Sequence, residues 1–171
     1  ESWNAFKNLM PGSRRSIVKK NKIKEGKKEV QELMAAAKAG DSAKVERAIE
    51  NGVPVDSVAT WEFGETALMV AAKWGHTHTV ELLIANRADI DVRDENGETA
   101  LLKASEWGRT ETVVALLHRG ARIDIPAKRT KMTALMTAAK LGHTDTAVAL
   151  IKEGANFKVL NTVSALRFCV F

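Results

Sequence analysis

Apolar residues recur along most of the chain at helical spacing, in short runs that stop at glycine and restart a few residues later. Leu68, Ala71 and Ala72 share one face of a first predicted helix, and Val80, Leu83 and Ile84 share one face of a second. Thr66 precedes the first helix as an N-cap, its hydroxyl able to accept from a free amide of the first turn. Gly75 ends that helix by taking the left-handed backbone that other residues avoid. The pattern returns with Thr99, Gly108, Val113, Leu116 and Leu117, and again with Thr133, Gly142, Ala147, Leu150 and Ile151. Gly120 and Gly154 close the later second helices. Extended stretches with alternating apolar residues follow (Ile90 and Val92; Ile123 and Ile125), and Asn96-Gly97 is a hairpin-tip signal. Two small residues on each first helix keep it thin enough for close stacking.

The alternation is therefore a repeat. GETALMVAAKWGHTHTVELLIANRADIDV (64–92) realigns on GETALLKASEWGRTETVVALLHRGARIDI (97–125) and on KMTALMTAAKLGHTDTAVALIKEGANFKV (131–159). Thr66, Thr99 and Thr133 lie 33 and 34 residues apart, and a more worn copy, ELMAAAKAGDSAKVERAIENGVPVDSV (32–58), precedes them. Length changes of one residue belong in loops.

This rhythm, with its Thr-x-Leu start, paired alanines, Gly-His and Gly-Ala-Asp-Ile-Asp elements, resembles the ankyrin repeat family. The resemblance covers roughly residues 29 to 160. It implies an all-α solenoid of stacked helix-turn-helix units with hairpin-like loops, at about 29–61, 62–94, 95–128 and 129–160. Residues 161–171 then form a partial fifth unit or a cap. There are departures from the family pattern. Thr-Pro-Leu-His appears here as Thr-Ala-Leu-Met or Thr-Ala-Leu-Leu, without the helix-starting proline and the cross-bonding histidine. Arg87 stands where a second-helix glycine belongs, and Lys131 replaces a hairpin glycine, so a looser or differently shaped turn is expected there.

Charge changes the picture at one end. Residues 1–28 carry nine basic and two acidic residues, leaving 17 basic against 19 acidic in the rest. The basic balance thus belongs to an extended N-terminal arm and not to the repeats. Trp3, Phe6, Leu9 and Met10 suit one side of a short helix ended by Pro11-Gly12, and SRRSIVKKNKIKEGKK follows. Trp3, Phe6, Arg14, Arg15, Lys19 and Lys20 are the arm's candidate contacts, to an acidic protein, RNA or an anionic membrane surface. A single cysteine, Cys169, excludes an internal disulfide framework and suits a reducing compartment. No apolar run approaches the ~20 residues of a membrane-spanning helix. The expected location is intracellular, either cytoplasmic or inside an organelle such as a plastid or mitochondrion, the latter suggested by the basic leader and the start at Glu1.

By the resemblance, partners contact the hairpin tips and the ends of the first helices. At the helix ends lie Lys73 and Trp74, Glu106 and Trp107, and Lys140 and Leu141; at the tips lie Trp61, Phe63 and Glu65, and then Met132. Trp74, Trp107 and Leu141 are expected to form an outward ladder flanked by Phe63 and Met132. Such indoles serve either as a recognition stripe, tryptophan being enriched among residues that dominate interface energy, or as covers over the alanine seam. Lys73, Glu106 and Lys140 alternate in sign, which disfavours a nucleic-acid strand in the groove.

His76 and His143, at the Gly-His position, are read as loop-ordering groups, and His118 as a helix-terminal one. The acidic residues Asp89, Asp91, Asp94 and Glu95 are read as a solvated turn. One cysteine and no cluster of ligand types give no metal site and no cofactor, and no catalytic constellation is present. The expected function is a non-catalytic protein-interaction module, an adaptor or accessory subunit of a larger assembly, with homo-oligomerisation not expected. The alternative is a nucleic-acid or anionic-membrane-surface binder acting through the arm, for example a peripheral subunit of an organellar membrane complex.

Overall fold

The computed structural model describes residues 28–59 and 63–157. The partial fifth unit at 161–171, Trp61, and the arm residues Trp3, Phe6, Arg14, Arg15, Lys19 and Lys20 lie outside the described residues. Lys28, counted with the arm from its charge, begins a helix.

Eight helices are described, in four antiparallel pairs. The first pair is α1 (28–39) with α2 (Ser42–Glu50), and the second is α3 (Ala67–Trp74) with α4 (Thr77–Ala85). The third is α5 (Ala100–Glu106) with α6 (Thr110–His118), and the fourth is α7 (Ala134–Leu141) with α8 (Thr144–Lys152). First helices α3, α5 and α7 pack on one another in sequence, and second helices α2, α4, α6 and α8 do the same in a parallel layer. Each unit touches its sequence neighbours, which is the geometry of a solenoid.

The caps form as the threonines predict. Thr66, Thr99 and Thr133 accept from the amides of Met69, Leu102 and Met136 at 3.4 Å in each case. Gly75 (φ 80°), Gly108 (φ 63°) and Gly142 (φ 77°) end the first helices in the left-handed region. The core is an alanine seam between first helices, with Ala71, Ala72, Ala104, Ala138 and Ala139 all buried, backed by Val80, Leu83, Val113, Leu116 and Leu150 from the second layer. In the middle unit Ser105 takes an alanine position and stays fully buried by donating to the Leu101 carbonyl at 2.8 Å.

Neighbouring units are also tied by repeated polar contacts. Along the second helices, hydroxyl pairs join Ser42 to Thr79 (3.0 Å), Thr77 to Thr112 (2.8 Å) and Thr110 to Thr146 (2.7 Å). In the loops, carboxylates of Asp56, Asp91 and Asp124 accept from the amides of Asp89, Arg122 and Asn156 in the following unit. At the tips, Glu95 N donates to Phe63 O (3.0 Å) and Lys128 N to Asn96 O (2.9 Å).

The loops are less extended than their alternation suggests. Only β1 (Val58–Ala59) and β2 (Glu65–Thr66) pair as antiparallel strands among the described residues. The second tip closes by Asp94 N to Glu98 O (3.0 Å) and Gly97 N to Asp94 O (2.8 Å), with Gly97 left-handed at φ 72° and Asn96 not. That is the bulged three-residue loop, not the two-residue turn that needs both centres at positive φ. The third tip closes by Ala127 N to Met132 O (2.9 Å) with Lys131 at φ 57°. It is one residue longer, and so it absorbs the extra residue of the 34-residue spacing. Arg87 does take the left-handed backbone, at φ 67°.

A β-carbon at Gly97 would stand 2.5 Å from Lys128 Cβ and 2.8 Å from its amide nitrogen, whereas one at Gly120 (φ 92°) would meet nothing within 4 Å. Gly120→Ala should therefore cost about 1 kcal/mol of backbone strain, and Gly97→Ala at least about twice that, because it also breaks the contact between tips. Urea unfolding of the two variants side by side measures the difference.

Candidate functional site

The ends of the first helices and the tips of the hairpins face the same side of the stack. There Trp74 and Trp107 stack on one another, with ring centroids 6.4 Å apart and planes inclined by 20°. Both remain substantially exposed, at 42% and 48%, and Leu141 continues the column at 49%. The rings therefore cover one another in part and still present a continuous apolar edge to solvent. Lys38 Nζ lies 5.3 Å from the centroid of Trp74, and Lys73 Nζ lies 5.8 Å from that of Trp107. Each lysine comes from the unit before its indole. An aromatic pair contributes about 1 kcal/mol beyond area burial, and each exposed cation–π contact about 0.5–1 kcal/mol, so the ladder is held in register by its own contacts.

Phe63 is 66% exposed and left-handed at φ 53°. Its carbonyl is tied to Glu95, which fixes the residue at the tip while its ring stays free of the core. Met132, Lys140, Leu141 and Glu106 come together around one shallow depression of 130 Å³, which Leu102, Ala127, Thr130, Thr137 and Glu98 complete.

Glu65 departs from expectation. Instead of facing outward at a tip, it is 4% exposed and turned into a buried ionic cluster. The centre of that cluster is Lys103, whose Nζ lies 2.6 Å from Glu98 Oε2, 2.9 Å from Asp94 Oδ2 and 3.0 Å from Glu65 Oε1, with Lys73 Nζ 3.7 Å from the same Glu65 oxygen. Asp94 Oδ2 is fully enclosed, and among the described residues its partner is this ammonium alone. Asp94 is thus not part of a solvated turn. Burial alone would push the Lys103 ammonium down, but the Glu98, Asp94 and Glu65 carboxylates outweigh it and hold the group well above the ordinary lysine range. The cluster joins the first tip (Glu65), the second tip (Asp94 and Glu98) and helix α5.

His76 and His143 order loops as read from sequence. Their Nε2 atoms lie 2.9 Å from the carbonyls of Lys38 and Glu106 in the preceding unit, and their rings rest against Gly40 and Gly108. Arg109 fills the same role in the middle copy, donating from Nε to the Lys73 carbonyl at 3.2 Å over Gly75. Both residues left out of the candidate set had a signal. Arg109 stands in register with two histidines, and Lys103 is a charge at the buried position that Val70 occupies one unit earlier. Among the described residues no group of three or more His, Cys, Asp or Glu side chains is arranged to hold a metal ion.

Comparison with known proteins adds two matches to family models, ankyrin repeats in three copies over residues 33–129 and a further ankyrin repeat over 130–162. A search of curated proteins returns no match.

Removing the ammonium at the centre of the cluster leaves enclosed carboxylates unpaired, so Lys103→Met should cost about 3 to 5 kcal/mol. The folded pKa of Lys103 is raised above its ordinary value of 10.5. Its contribution is therefore complete below that value and is lost as pH climbs through the folded pKa. Chemical unfolding followed above pH 10.5 should show this alkaline loss in the native chain and not in Lys103→Met.

Proposed function

Because this chain belongs to the ankyrin repeat family, whose repeats are generally protein–protein interaction modules, we propose that it is a non-catalytic adaptor or an accessory subunit of a multiprotein complex. Trp74, Trp107 and Leu141 form the centre of the binding face, Phe63 and Met132 flank it, and the basic arm supplies a second contact. The observation that carries this reading is the half-exposed stacked indole pair, capped by lysines on a surface whose other parts are tied down by bonds between units. Indoles held rigid before binding lose little conformational entropy when a partner covers them, and tryptophan is the residue most often found to dominate interface energy. Two contacts on one chain raise each other's effective concentration.

The double variant Trp74→Ala/Trp107→Ala tests this. Affinity capture with quantitative mass spectrometry should show the bound protein falling by roughly tenfold or more, while helicity persists and stability drops by about 2 to 3 kcal/mol. Undiminished capture by the double variant, together with loss of binding on deleting residues 1–27, would move the function to the basic arm. In that case binding would also weaken steeply with salt.

A further inference from the structure

We propose that the depression at the foot of the ladder takes one apolar side chain from an acidic, extended segment of the partner; this rests on the reading of the face around Trp74, Trp107 and Leu141 as a protein-binding surface. The space exists because one repeat position carries different residues in successive units. Lys103 occupies the corresponding slot one unit earlier and fills it with its chain, whereas in the fourth unit that position is the short Thr137. Leu102, Ala127, Met132 and Leu141 are the apolar part of the depression's lining, and it measures 130 Å³. That is close to a cavity of about 150 Å³, which accommodates a benzene ring, so it suits a single branched aliphatic or aromatic side chain.

The charge around it points to an acidic partner. Lys128, Arg129 and Lys131 form the third tip and are all exposed, and Lys140 lines the depression from the other side. None of the four makes an ion pair among the described residues. Of the acids in reach, Glu98 is held by Lys103 at 2.6 Å, and Glu65 and Asp94 are buried in the same cluster. The fold gathers these three carboxylates around one ammonium, burying Glu65 and Asp94 and leaving Glu98 partly exposed among the residues that line the depression. The exposed charges around the depression are mostly basic, with Glu106 beside it and Glu95 at the second tip as exposed acids, and with Glu98 partly exposed but paired to Lys103.

The test uses labelled twelve-residue peptides of alternating glutamate and serine with either a central leucine or a central alanine, and a uridine oligoribonucleotide of equal charge. Fluorescence anisotropy on the native chain should show the leucine peptide binding about fivefold or more tighter than the alanine peptide, and tighter than the RNA. Filling the vacancy with Thr137→Met should abolish the preference for leucine. The surface variant Arg129→Glu/Lys140→Glu should weaken both peptides while leaving their ratio intact. Equal binding of the two peptides, a preference that survives Thr137→Met, no detectable peptide binding, or tighter binding of the RNA would each overturn the proposal. If it falls while partner capture still depends on Trp74 and Trp107, the protein-binding reading stands without it.

Discussion

Contact between successive units is the constraint on which everything else in this molecule depends. A single helix pair carries an apolar stripe that it cannot cover, so each unit is stable only against its neighbours. The alanine seam allows the close approach, and a small set of polar contacts fixes the register. Hydroxyl pairs run along the second helices, carboxylates cap the next loop's amides, and His76, Arg109 and His143 each reach back to a carbonyl of the preceding unit. Lys103 concentrates this in one place by binding carboxylates from two tips at once.

The binding face is a consequence of that tying. The tips are joined by backbone hydrogen bonds from Glu95 to Phe63 and from Lys128 to Asn96, and Arg93 spans the second and third tips by donating to the Gly97 and Pro126 carbonyls. Trp74 and Trp107 then stand in line because their helices do. Their stacking and their lysine caps stiffen the line further without hiding it. Rigid aromatic surface on a fixed frame is what favours tight association at low entropic cost.

Much of this was legible in sequence, because the determinants are local. Thr66, Thr99 and Thr133 cap where they stand, glycines end helices where they stand, and Arg87 and Lys131 take the left-handed backbone demanded by the glycine positions they fill. What could not be read was non-local. Glu65 looks like a tip residue until the fold brings Lys103, 38 positions later, within 3.0 Å of it. Asp94 looks solvated for the same reason. The alternation of Ile90 and Val92 suggested an extended stretch, but those side chains pack on the core and Ile90 and Asp91 form a turn. Arg109 stands in register with His76 and His143 in the sequence, and the shared carbonyl acceptor shows that its guanidinium does the work of their imidazoles.

Native-state hydrogen exchange at the amides of Glu95 and Lys128 tests most directly whether the binding face is built in advance. These amides carry the bonds between tips. A preorganised face predicts that both exchange only through the opening that also releases the core helices, with protection close to that of Leu83 and Leu116. Exchange at the rates of unstructured peptide, while those helices remain protected, would mean that the tips move independently and that the line of tryptophans is not held for a partner.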